Sequence, residues 1–156
     1  MSCDAIAVTA TLWLAFAAPA DGATMRPAAA VSAPASPLAA EPLFADIVAR
    51  AGALKTRVEG WKGQTGALAG FGAFKTELTA LAELDMKAHH LLAERGTDGD
   101  LKCILRGIAQ DLPVRLGQVE AAADPQARDA ALREMVWLLR DNVEVITTPA
   151  TVTSGT

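Results

Sequence analysis

The sequence predicts an all-α protein, an antiparallel up-down-up-down four-helix bundle that follows a signal peptide and a disordered linker. Three observations carry this expectation. Between residues 43 and 148, apolar side chains recur at three- and four-residue spacing in four separate stretches. Helix-ending and helix-starting residues, above all Gly96 and Asp124-Pro125, stand between those stretches. No segment alternates apolar and polar residues with the period of two that a half-buried strand needs.

The first element is a leader. Ala5 to Ala18 is uncharged and apolar, and it runs into Ala18-Pro19-Ala20, a small-x-small pattern of the kind signal peptidases cut. It falls short of the roughly 20 apolar residues that span a bilayer. Residues 1–20 are therefore expected to be a cleaved signal peptide, placing the mature protein in the periplasm or outside the cell. Residues 1–4 depart from the pattern, since they carry no Lys or Arg. Residues 21–42 are rich in Ala, Pro and Ser with hardly a large apolar side chain, a composition that buries too little surface to offset chain entropy. They read as a disordered linker, and 149–156 as a disordered tail.

In the folded part, 43–148, the first stripe is Phe44, Ile47, Val48, Ala51, Leu54 and Val58, ending near Gly60. A Gly-rich connection carrying Trp61 follows; it lacks the GK[ST] of a phosphate loop and comes after a helix, so it reads as plain linkage. The second helix is expected over Phe71 to Arg95, with Phe74, Leu78, Leu81, Ala88 and Leu92 inward and Gly96 as its stop. Leu101, Ile104, Leu105, Ile108 and Leu112 make the third stripe, which Pro113 should kink or restart before Leu116 and Val119. Asp124 caps the fourth helix with Pro125 at its first position, and Leu132, Met135, Val136, Leu139, Val143 and Ile146 face the core.

Composition narrows the function. The chain has 156 residues and a formal net charge of −4, with 51% hydrophobic but 4% aromatic residues. The charge is small and of the wrong sign for neutralising nucleic-acid phosphates. Of its 34 alanines, 15 lie in the first 40 residues, so the hydrophobic percentage does not mark an integral membrane protein once the leader is removed. Residues 43–148 contain no Ser and no Tyr, which removes serine nucleophiles, and HExxH, CxxC and GxSxG are absent. Catalysis is not expected.

Polar residues out of place on the helices supply the candidate sites. Asp85 falls near the middle of the second apolar stripe, where an ionised carboxylate needs a partner. His89, one turn on, Arg115 and Arg128 all project towards the same side, so Asp85, His89, Arg115 and Arg128 form a candidate polar interior site. Met86, His90 and Glu94, at i, i+4 and i+8, put a thioether, an imidazole and a carboxylate in one row, a candidate metal set suited to copper. Trp137 lies on the polar side of the fourth helix and is a candidate partner surface, with packing over the Gly-rich loop beside Trp61 as the alternative. Cys103 would stand without an intramolecular partner if Cys3 left with the leader, making it a candidate surface thiol and a route to a dimer.

The architecture resembles that of the periplasmic cytochrome b562 and cytochrome c′ bundles, over 43–148 and without a shared motif. CxxCH is absent, which removes covalent haem. For b-type haem the sequence offers His89 and Met135, neither near the chain ends where that family carries its ligands. The expected function is a small exported binding or interaction module with a protein partner and no cofactor. The alternative is a periplasmic carrier of copper or, less in keeping with the residues, haem.

Overall fold

The computed structural model describes residues 36–97 and 99–148; the leader, most of the linker and the tail lie outside the described residues. Four helices are present, α1 (Pro42–Trp61), α2 (Phe71–Arg95), α3 (Gly99–Ala121) and α4 (Pro125–Thr147), with no strand among the described residues. The class is all-α, as the periodicity predicts.

Helical structure begins inside the segment read as linker. Pro37–Ala40 forms a 3₁₀ turn, and Leu38 and Ala39 lie against the core. Glu41 is extended and Pro42 opens α1, where a missing N–H costs nothing and the fixed φ suits the first turn. The buried residues of α1 are Phe44, Ile47, Ala51, Leu54, Val58 and Trp61, an unbroken sequence of three- and four-residue steps. Trp61 thus belongs to the helix and not to the loop. It is 4% exposed, and its ring meets those of Phe74 and Phe71 edge-on at 4.8 and 5.8 Å. These rings close one end of the core, in the geometry that aromatic quadrupoles favour.

Glycines mark both limits of α2. Gly70 and Gly96 have φ of 71° and 67°, the left-handed conformation that costs other residues a steric penalty. After the last turn, Gly96 N–H donates to the Ala93 carbonyl and Thr97 N–H to that of Leu92, which satisfies carbonyls the helix leaves over. At α4 the expected cap is in place: the Asp124 side chain accepts from Ala127 N–H at 2.8 Å.

Of the kink or restart expected at Pro113, the restart does not occur: α3 is continuous from Gly99 to Ala121. The ring lies on the exposed side, while Leu112 and Val119 hold the inner face in the core. Ile104, placed in the third stripe by spacing, is 42% exposed, and the inner face is carried by Leu105, Ile108, Ala109, Leu112 and Val119.

The helices pack in a ring. α1 and α3 each lie against both α2 and α4, whereas the backbones of the diagonal pairs α1/α3 and α2/α4 are not neighbours. A single apolar cluster fills the middle. No helix among the described residues is long and apolar enough to cross a membrane.

Candidate functional site

Two polar side chains are fully buried among the described residues, Asp85 on α2 and Asn142 on α4. They meet across the diagonal: Asn142 Nδ2 donates to Asp85 Oδ2 at 2.8 Å. Asp85 reaches the interior because Leu78, Leu81, Asp85 and Ala88 follow one another by three and four residues on α2. Asn142 does so by the same arithmetic, between Leu139 and Ile146. The other oxygen of each group, Asp85 Oδ1 and Asn142 Oδ1, is buried and lacks a hydrogen-bond partner. Burial pushes the Asp85 carboxyl up from 3.8 to about 7, against the hydrogen bond from Asn142, which lowers it.

The other members expected around Asp85 are engaged elsewhere. His89 is half-buried, with Nδ1 2.7 Å from the Lys102 carbonyl oxygen. That oxygen can only accept, so the ring proton sits on Nδ1 and the contact ties α2 to α3. Arg115 Nη1 donates to Gln118 Oε1 one turn on, at 3.0 Å. Arg128 Nη2 donates to the Gln64 carbonyl at 2.7 Å, and beside it Asp129 Oδ1 accepts from Gly63 N–H at 2.8 Å. These two side chains of α4 hold the Gly-rich connection in place, which is what the arginine does here. The structure therefore joins Asp85 to Asn142 and not to His89, Arg115 or Arg128.

Met86 is half-buried, whereas His90 and Glu94 are exposed. Among the described residues no cluster of three His, Cys, Asp or Glu side chains is arranged to hold a metal. The rings of His89 and His90 lie tilted at 5.1 Å. Met135, the other residue offered for haem, is fully buried in the apolar cluster. Cys103, expected as a lone thiol, is half-buried and sits in a disulfide.

Trp137 is 54% exposed on α4. It does not pair with Trp61; the guanidinium of Arg140 lies 3.8 Å from its ring centroid, close enough for a cation–π contact. Arg140 is itself held by Asp141 at 3.0 Å and Glu144 at 3.3 Å. The other large apolar residues exposed among the described residues are Ile104 and Val114, both on α3, which packs beside α4.

No protein-family model, no curated protein and no solved structure matches this chain.

Proposed function

We infer that this chain is a small exported helical-bundle protein that works as a binding or interaction module through the outer face of α4 around Trp137, without catalysis. The observation that carries the reading is the Trp137–Arg140 pair. Leaving an indole more than half exposed forfeits the burial energy that a Trp offers, and buried Trp and Arg are the residues that most often dominate binding interfaces. Arg140 stacks on the ring and lies within ion-pair distance of Asp141 and Glu144, so the indole and a guanidinium present one composite face to a partner. We also read the connection order as up-down-up-down. Trp61 at the end of α1 meets Phe74 near the start of α2, Arg95 at the end of α2 returns to Glu41, and Lys75 near the start of α2 reaches Glu120 near the end of α3.

The test is site-specific photocrosslinking in the living host. A photoreactive residue at position 137 should trap one discrete protein partner, and the same residue at Thr56, exposed on α1, should not. Equal products from both positions, or none from 137, would defeat the proposal. Stoichiometric uptake of copper or haem by the purified chain would establish the carrier alternative instead. N-terminal sequencing of the exported protein checks the leader, and an intact Met1 in the cytosol would remove export.

A further inference from the structure

We propose that Asp85 is a protonated carboxylic acid in the folded bundle and donates from Oδ1 to Asn142 Oδ1, so that the pair forms a proton-operated clamp between α2 and α4. The geometry poses the problem that this solves. Asn142 gives one N–H to Asp85 Oδ2, and what remains on the inner side of each group is an oxygen without a partner. With Asp85 ionised, both of those oxygens are acceptors only, and neither can satisfy the other. One proton taken from solvent onto Asp85 Oδ1 changes that: acid and amide then exchange two hydrogen bonds, and the buried charge disappears. Its release to solvent leaves a carboxylate, breaks the second bond and restores both unsatisfied oxygens.

Among the described residues no buried side chain supplies a counter-charge to hold the ionised form. The buried faces of α1 and α3 present only apolar side chains, and that of α4 presents only Asn142 besides. The charged groups of the surrounding helices have partners other than Asp85 or are exposed, and half-buried Arg115 and Arg128 donate to Gln118 and to the Gln64 carbonyl. Asp46 binds Arg50 on α1 and Arg140 binds Asp141 and Glu144 on α4, while Arg106 and Asp111 of α3 are exposed. On α2 itself, His89 is engaged with the Lys102 carbonyl and Glu83 and Lys87 are exposed. Burial of Asp85 shifts its proton affinity in the required direction.

The clamp also has mechanical consequence. α2 and α4 sit on the ring's diagonal with their backbones apart, and the hydrogen bond from Asn142 to Asp85 joins them across the core. Deprotonation thus acts on a polar link that crosses the core between two helices whose backbones are not neighbours.

The experiment is a carbon-13 NMR titration of the full chain, with labelled aspartate carboxyls and labelled asparagine side-chain amides. The expected result is that the Asp85 carboxyl titrates near pH 7, with the Asn142 amide moving at that same midpoint. Asp85→Asn should abolish both transitions, since its amide can exchange two hydrogen bonds with Asn142 at any pH. An Asp85 carboxyl already ionised at pH 5 overturns the proposal. So does an Asn142 amide that does not follow the Asp85 transition, and both results are read on the native chain even if the variant fails to fold.

Discussion

Alkali, more than acid, should loosen this bundle, and Asp85 sets how much. Asp85 holds its proton up to about pH 7 when folded, whereas the ordinary carboxyl value is 3.8. Between those values the folded state binds more protons than the unfolded state, so stability falls as pH rises. The contribution is full below the unfolded value, disappears as pH passes through the folded one, and is flat above it. At about 1.4 kcal/mol per pH unit the whole span is worth about 4 kcal/mol, more than half of it between pH 5 and pH 8. The measurement is guanidinium unfolding followed by circular dichroism at four pH values across that range, for the native chain and for Asp85→Asn. Subtracting the variant cancels the two histidines and the Glu41 carboxylate, which the hydrogen bonds from Arg95 hold below its usual value and which acts in the opposite direction. If the difference between the two proteins stays constant within about 0.5 kcal/mol from pH 5 to pH 8, the reasoning fails.

Other perturbations test the packing and the helix ends. Leu139→Ala, at a fully buried position, should cost about 2–5 kcal/mol in denaturant unfolding, because the ring of helices cannot close on the cavity without moving a whole helix. Gly52→Ala and Gly96→Ala should act in opposite directions. A methyl at Gly52 meets nothing within 4 Å inside α1 and should stabilise by up to about 1 kcal/mol, whereas Gly96 at φ +67° should lose about 1 kcal/mol; thermal melting of both ranks them. Asp124→Ala removes the cap of α4 and should lower stability by about 1 kcal/mol, with faster amide exchange in the first turn.

Much of this architecture was legible in the residues, and the reasons are local. The limits of α2 were readable because the glycines on either side, Gly70 and Gly96, take a backbone conformation other residues avoid. Asp124-Pro125 announced α4 for a similar reason, a side-chain oxygen placed where a backbone N–H needs one. At Pro113 the rule left a kink or a restart open, and the helix stays continuous with Leu112 and Val119 on either side of it buried in the core. Ile104 misled because a stripe drawn at three- and four-residue spacing is wider than the contact it makes.

The interior pair was half visible. Asp85 stood out as a charge in an apolar row, but its partner was sought among charged residues. Asn142 carries no charge, and its neighbour Val143 supplied an apolar residue for the same turn. The signal that would have found it is the step from Leu139 to Asn142 to Ile146, which continues the inner row at three and four residues. The hold of Arg128 and Asp129 on Gln64 and Gly63 had no such signal, since it joins a loop to a helix start more than sixty residues away.

The main-chain bond from Ser36 N–H to the Thr147 carbonyl, 3.1 Å long, has a topological consequence. It brings the first described residue against the last turn of α4, so the folded unit begins and finishes at one pole, away from the Gly-rich connection that Arg128 and Asp129 secure at the other. A folded unit whose first and last described turns meet can be rejoined there by a short bridge and reopened elsewhere. Opened at Gly66, an exposed position, the permuted sequence would start on α2 and finish on α1 with the same core. The bundle is in that sense nearly a closed ring of helices, in which the place where the chain starts is a convenience of the gene and not a requirement of the fold.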